Sequence, residues 1–72
     1  MNVKCVNIEG IDYIIMKSLN INNTIYHLLV DKNDNKNLCI RKEILINNEP
    51  YLNILKEEEF DYIFEAFKNW HN

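Results

Sequence analysis

The chain has 72 residues and a mass of 8.7 kDa, which allows a single domain spanning 1–72. Apolar residues make up 47% of it and charged residues 26%, with one Gly and one Pro, which excludes collagen-like, linker-like and strongly disordered chains. The net charge is −3, and residues 49–72 hold two basic and six acidic side chains, or −4. Direct nucleic-acid binding is therefore not expected, because phosphate contacts need clustered Lys and Arg.

Turn signals divide residues 1–54 into short apolar runs rich in Ile, Val, Tyr and Thr, which are typical of strands. Two-residue turns are predicted at Glu9-Gly10, Asn22-Asn23 and Asn47-Asn48, since Gly and Asn tolerate the positive φ of a tight hairpin. A five-residue polar loop, Lys32 to Lys36, makes the remaining connection. Short connections favour antiparallel neighbours. The prediction is an antiparallel β-meander of four strands or five, at about 3–8, 11–19, 24–31, 38–46 and, for the fifth, 51–54.

The spacing of apolar residues becomes helical after Lys56. One stripe recurs at i, i+3, i+4, i+7 and i+10, and consists of Phe60, Ile63, Phe64, Phe67 and Trp70. Three glutamates fill the first turn, where carboxylates meet the positive end of the helix macrodipole. The sequence therefore predicts an amphipathic helix at about 57–70 that packs on one face of the sheet. The predicted fold class is α+β.

The hairpin turns determine which side chains share a face of the predicted sheet, because directly opposed residues lie on the same side. The face that best matches the helix carries Val6, Tyr13, Ile15, Leu19, Tyr26, Leu28, Val30, Leu38 and Ile40. The second face carries Val3, Cys5, Ile14, Met16, Ile25, Leu29 and Cys39, with Ser18, His27 and Arg41 among them. Since one helix cannot cover both, the second face is expected to be a contact surface. Two alternatives stay open, namely that the sheet curls tightly and the longer loop covers part of this face, and that a register slip or a bulge at Gly10 exchanges the faces.

The candidate partner-binding residues combine the second face with the acidic side of the helix. They are Val3, Cys5, Ile14, Met16, Ile25, His27, Leu29, Arg41, Glu58, Asp61 and Glu65.

No motif for catalysis or for metal binding stands out. The cysteines and histidines lack the paired spacing of a zinc site. Residues 31–37 carry oxygen ligands at alternate positions, but Lys36 and Lys42 stand where a calcium loop needs Gly and Glu. We expect no enzyme activity, no metal and no cofactor. Without an apparent export signal, Cys5 and Cys39 are expected to be reduced thiols of a cytoplasmic protein, and no membrane span is expected.

The order of features resembles a group of short uncharacterised β-meander-plus-helix proteins from low-GC Gram-positive bacteria and their phages or mobile elements. The likeness covers roughly residues 11–68 and rests on Ile40-Arg41-Lys42-Glu43 and on Glu57-Glu58-Glu59-Phe60-Asp61. It implies the fold and no activity. In size and charge the chain is also similar to phage-encoded inhibitors of host defence, including anti-CRISPR proteins.

The leading hypothesis is a small non-catalytic interaction module, an inhibitor of phage or mobile-element type that occludes a larger host protein. Its contact would use the second sheet face, an unpaired edge strand or the acidic helix surface. The alternative is a self-associating small-ligand binder or enzyme whose site forms at a dimer seam near Tyr13, His27, Cys39 and Arg41.

Overall fold

A computed structural model describes residues 4–69. It contains β1 (Cys5–Ile8), β2 (Ile11–Ile21), β3 (Thr24–Asp31), β4 (Asp34–Ile46), β5 (Glu49–Ile54) and α1 (Glu57–Asn69). The strands lie side by side in the order β1-β2-β3-β4-β5, and each pairs antiparallel with the next. The predicted α+β fold, an antiparallel meander with one C-terminal helix, is confirmed, and the meander has the fifth strand.

Three of the four connections are two-residue turns in which both central residues have positive φ. The values are 51° and 86° at Glu9 and Gly10, 53° and 66° at Asn22 and Asn23, and 53° and 67° at Asn47 and Asn48. This is the pattern of a type I′ turn, whose twist matches that of the strands it joins. Asn is the residue other than Gly that enters this region most readily, which explains the repeated Asn-Asn pair.

The connection between β3 and β4 is tighter than predicted. A five-residue loop is wrong here, because Asp31 pairs with Asp34 across a two-residue turn. The Asp31 carboxylate accepts hydrogen bonds from the backbone N–H of Asn33 at 2.8 Å and from the Asn37 side chain at 3.2 Å. A register shift follows directly, so that Val30 pairs with Leu38. That is the pairing a five-residue loop would have produced.

A β-bulge at Met16 changes which residues share a face. Ile15 pairs with Leu29 and Lys17 with Leu28, so Met16 has no residue opposite it. Side chains before the bulge therefore exchange faces relative to an unbroken ladder. The predicted faces are wrong for five residues: Val6, Tyr13, Ile15, Cys5 and Ile14. The predicted β1–β2 pairing of Cys5 with Ile14 is correct, and so the side chains of β1 change faces together with their partners in β2.

Helix α1 packs against one face, which we call the helix face. Its core consists of Tyr26, Ile40, Ile63 and Phe67, with Leu19, Ile21, Leu28 and Leu55 packed against it. The predicted stripe is only partly buried, because Phe60 and Phe64 are 41% and 45% exposed. Trp70 lies outside the described residues. Residues 4–69 contain one helix, α1, and it is neither long enough nor apolar enough to cross a membrane.

The sheet curls around its other face, which we call the cavity face. In a flat sheet the edge strands β1 and β5 would lie four spacings of about 4.8 Å apart, or roughly 19 Å. Here Val6 of β1 and Leu52 of β5 line one cavity. Leu29 is completely buried on this face. The curl therefore closes much of the second face, as the first open alternative expected, but the longer loop of that alternative is a two-residue turn.

Candidate interaction surface

An apolar groove lies on the helix face, beside the buried core. It has a volume of about 50 Å³ and is lined by Leu28, Leu38, Cys39, Ile40, Phe60 and Phe64. The rings of Phe60 and Phe64 stack with their centroids 5.7 Å apart and their planes 11° from parallel. Leu38 is 51% exposed at the side of this pair. One wall of the groove is therefore formed by a stacked pair of aromatic rings.

The helix period explains why these two aromatic rings are left uncovered. Ile63 and Phe67, four residues apart, point into the core. At about 100° per residue, Phe60 and Phe64 lie on the flank of that buried line. They therefore meet the part of β4 around Leu38 and Ile40 rather than the centre of the sheet.

Strand β4 has a free backbone edge next to the groove. Its pairing with β5 covers Arg41 to Ile46. Within residues 4–69, the preceding segment Asp34–Ile40 pairs with β3 alone. An edge of this kind presents N–H and C=O groups to which another strand can pair. We call this segment the β4 edge.

The flank of the helix beyond the aromatic pair is acidic. Glu57 and Asp61 are exposed and, by the helix period, lie on the far side of Phe60 and Phe64 from the core. From Glu57 to Asn69 there are five acidic side chains and one basic, Lys68. The groove therefore lies between a free strand edge and a negatively charged helix flank.

Further apolar side chains are exposed along the β4–β5 hairpin. They include Leu45, Ile46, Tyr51 and Ile54. By the register, Leu45 and Ile54 lie on the cavity face, whereas Ile46 and Tyr51 lie on the helix face. They do not form one continuous surface, and so this hairpin is a weaker candidate than the groove.

The cavity face holds a concave site larger than the groove. Its volume is about 290 Å³, and all five strands contribute to its lining: Lys4, Cys5, Val6, Ile15, His27, Glu43, Pro50 and Leu52. The lining is apolar apart from Lys4, Cys5, His27 and Glu43. It has the size of a site for a small organic molecule.

His27 bridges two other polar side chains across the cavity face. Its Nε2 lies 3.0 Å from Glu43 Oε1, and its Nδ1 lies 2.6 Å from Ser18 Oγ. Because an ionised carboxylate can only accept a hydrogen bond, the neutral imidazole carries its proton on Nε2, and Nδ1 then accepts from the Ser18 hydroxyl. The chain of three groups links β2, β3 and β4, and its order is hydroxyl, imidazole, carboxylate.

On the helix face, Glu59 joins the start of α1 to the sheet. It accepts hydrogen bonds from Lys42 Nζ at 2.8 Å, from the Lys56 backbone N–H at 2.9 Å and from the Tyr26 hydroxyl at 3.2 Å. The bond to Lys42, and then that to Lys56, lowers the pKa of Glu59. The same carboxylate raises the pKa of Lys42 through their hydrogen bond. For Tyr26, burial is the first cause of a raised pKa and Glu59 the second.

The two cysteines are free thiols in different environments. Cys5 is exposed on β1, and Cys39 is half-buried on β4. Burial raises the pKa of Cys39, while Arg41 and a hydrogen bond with Tyr13 act in the opposite direction. Cys39 is thus the less reactive thiol at neutral pH. Among residues 4–69, no group of three or more His, Cys, Asp and Glu side chains is arranged to hold a metal ion.

The predicted partner-binding residues are distributed over several surfaces. Val3 lies outside the described residues. On the cavity face are Ile25, His27, Leu29 and Arg41, and of these Leu29 is sealed in the core. By the register, Cys5 and Ile14 lie on the helix face, although Cys5, which is on an edge strand, also contributes to the lining of the cavity. Met16 is exposed in the bulge, and Glu58, Asp61 and Glu65 are exposed on α1. The structure does not bring these residues together into one site.

Sequence reasoning misses the groove and both polar clusters. It assigns Leu38, Phe60 and Phe64 to the covered face, because spacing alone cannot separate a buried flank from an exposed one. It does not identify Ser18 and Glu43 as partners of His27. A signal is available for Ser18, since the predicted pairing places it directly opposite His27.

Comparison with known proteins finds no match, whether to a protein-family model, a curated protein or a solved structure.

Proposed function

We propose that the protein is a small non-catalytic module that binds another protein through the groove and the adjoining surface of Leu38, Phe60 and Phe64. In this proposal it works in the cytoplasm and inhibits a larger host protein by occlusion, as an inhibitor of phage or mobile-element type would. The observation that carries the proposal is the stacked, half-exposed pair Phe60 and Phe64 beside the exposed Leu38.

Exposed aromatic side chains grouped around a groove support a protein-binding role. Large apolar side chains that cluster on the surface usually mark contact sites, and aromatic anchors contribute much of the free energy of protein association. The acidic flank formed by Glu57 and Asp61 suits a basic partner surface, since complementary charge accelerates encounter and excludes wrong partners.

Two matched variants test this proposal. Leu38→Asp places a charge beside the groove, and Leu45→Asp places the same charge on the same strand at a site 67% exposed and outside the groove. Wild type and both variants are immobilised and exposed to extract from cells that express the gene, and bound proteins are quantified by mass spectrometry. The proposal expects a specific partner that wild type and Leu45→Asp retain and that Leu38→Asp loses.

Two results count against it. Either the partner is lost with Leu45→Asp and kept with Leu38→Asp, or no protein is enriched over a blank support with any of the three. Circular dichroism of each variant confirms that it is folded before the capture is interpreted. Whether the captured partner is inhibited is then measured directly, by titrating the purified module into an assay of that partner.

A second candidate function is a small-ligand binder or an enzyme, either within one protomer or at the seam of a homodimer. The cavity of about 290 Å³ favours it, because His27 and Glu43 line this cavity and His27 is hydrogen-bonded to Ser18. Of the residues predicted for such a site, His27 lines this cavity, and the side chains of Tyr13 and Cys39 are hydrogen-bonded to each other. A hydroxyl that donates to an imidazole held by a carboxylate is the arrangement of an activated serine.

Ester hydrolysis and light scattering test this second candidate. Turnover of p-nitrophenyl acetate that Ser18→Ala abolishes, with unchanged thermal stability, would support catalysis by Ser18. A stable dimer whose melting temperature rises with a small-molecule ligand would support a binder at a seam. A monomer that shows equal background hydrolysis with wild type and Ser18→Ala, and no ligand-induced melting shift, would contradict it.

A further inference from the structure

We infer that the partner docks as an extended strand on the β4 edge, Asp34–Ile40, with its apolar side chains in the groove and basic side chains against Glu57 and Asp61. This inference rests on the proposed function and specifies the kind of partner that the surface fits.

The backbone provides the first argument. Strand β5 ends at Ile54, and the chain then passes through Leu55 and Lys56 into α1 on the helix face. The segment of β4 beyond the β5 pairing is thus left open in the described part of the chain. Seven residues, from Asp34 to Ile40, span about 23 Å at roughly 3.3 Å each, which is the length of an ordinary strand. A partner strand added here would continue the sheet in line with β5.

The groove provides the second argument. Leu38 and Ile40 lie on the helix face of the β4 edge, and Phe60 and Phe64 stand over the same side. Side chains of an added strand alternate between faces, so every second one would point toward these rings. Strand addition characteristically gains affinity from main-chain hydrogen bonds and specificity from pockets for alternate side chains. The β4 edge offers the main-chain hydrogen bonds, and the groove beside it offers the pocket.

Charge favours a basic partner over a second copy of this chain. If two copies paired through their β4 edges about a twofold axis, the same surface of each copy would form the interface. Two sets of Glu57 and Asp61 would then flank one interface in a chain of net charge −3. Like charges placed together at an interface disfavour association. Arg or Lys at the ends of an extended apolar segment would instead find opposite charge.

A synthetic strand of defined sequence tests the inference directly. The probe is acetyl-Arg-Thr-Val-Thr-Val-Thr-Arg-amide, which places Arg, Val, Val and Arg on one face when extended. Two further versions are N-methylated, one on the odd-numbered amides and one on the even-numbered amides. Because alternate N–H groups of a strand point to opposite sides, only one set can face β4.

Binding is followed by two-dimensional ¹H–¹⁵N NMR of the intact protein and by amide hydrogen exchange. The unmodified peptide and one methylated version are expected to bind, and the other version to bind at least about tenfold more weakly, since each ladder bond contributes about 1 kcal/mol. Alternate amides between Asp34 and Ile40 should exchange more slowly in the complex. Leu38→Asp should weaken binding, and Leu45→Asp should leave it unchanged.

Four results would overturn the inference. They are no binding by the unmodified peptide at millimolar concentration, equal binding by both methylated versions, shifts centred outside the β4 edge, or a dimer in light scattering that Leu38→Asp converts to a monomer. None of the four decides the proposed function, which the capture experiment with Leu38→Asp and Leu45→Asp tests separately. If that capture succeeds while the peptide fails, the module binds its partner through the groove without strand addition.

Discussion

Glu59 at the start of the helix and Lys42 in the middle of β4 form a hydrogen-bonded ion pair at 2.8 Å. Glu59 also accepts from the backbone N–H of Lys56, the residue before the helix begins, as the third helical residue does in a capping box. One carboxylate therefore satisfies a backbone donor at the helix start and ties the helix to the sheet. The position of Phe60, the next residue, depends on this contact.

Glu59→Gln should lower the free energy of unfolding at pH 7 by about 1 kcal/mol, because it removes a charged cap and an ion pair. Since the pKa of Glu59 is lowered in the folded state, its contribution is complete above its ordinary value of 4.5 and disappears as the pH falls through the folded value. Urea unfolding at pH 7 and below pH 4 measures this. The difference between wild type and Glu59→Gln should shrink in acid.

Glu58→Gln is the matched control, because Glu58 is exposed on the same turn of the helix. It should change stability little at either pH. A loss as large as that of Glu59→Gln would mean that the general negative charge of the first turn, rather than the contacts of Glu59, stabilises the helix.

Deletion of Met16 tests the bulge. Because Ile15 already pairs with Leu29 and Lys17 with Leu28, removing the extra residue leaves an unbroken ladder in which Tyr13 and Ile15 stay on the side that holds Leu29. The deletion variant should therefore keep cooperative urea unfolding. Met16→Ala keeps the bulge and truncates an exposed side chain, so it should stay within about 0.5 kcal/mol of wild type. Loss of cooperative unfolding in the deletion variant alone would contradict this register and show that the fold needs the extra residue.

The two thiols should react at different rates. Cys5 is exposed, whereas Cys39 is half-buried and burial raises its pKa, so Cys39 offers less thiolate at neutral pH. Iodoacetamide labelling followed by mass spectrometry of the peptides should find Cys5 modified first. In urea the two rates should converge. Faster labelling of Cys39 in the folded protein would contradict the packing around Tyr13.

Asn48→Val should destabilise the protein by about 1–2 kcal/mol. Asn48 has a φ of 67°, a region in which a β-branched residue is strained. Asn20→Val, at an exposed strand position, is the control and should remain within about 0.5 kcal/mol of wild type. Thermal unfolding followed by circular dichroism compares the two. Equal melting temperatures would show that the turn does not need a residue tolerant of positive φ.

The sequence sufficed to predict the strand order and the helix because the signals for them are local. The Asn-Asn pairs fix two hairpin turns through their tolerance of positive φ, and the spacing of Ile63 and Phe67 fixes the buried line of the helix. The bulge at Met16 could not be predicted in the same way. It depends on how two strands fit over a whole sheet, and no residue type at that position requires it.

The groove could not be predicted for a similar reason. Periodicity indicates that Phe60 and Phe64 lie near the buried side of a helix, but their exposure depends on how far the sheet extends beneath them. Because the sheet curls and α1 packs over Tyr26 and Ile40, the aromatic pair lies at the margin of the covered area. The exposure of these rings depends on how the helix and the sheet pack together, and the spacing of residues along the helix does not encode that packing.

The most direct test of the central claim is photo-crosslinking from the groove in living cells. Phe64, 45% exposed, is replaced by p-benzoylphenylalanine, and Tyr51, an aromatic residue 49% exposed on β5, is replaced in a matched control. Phe64 lines the groove with Leu38, and Tyr51 pairs with Ile44, which lies six residues, or roughly 20 Å, farther along β4. We predict one adduct of defined mass from position 64 and none from position 51. An adduct from position 51 alone, or equal labelling from both, would contradict a partner bound at the groove.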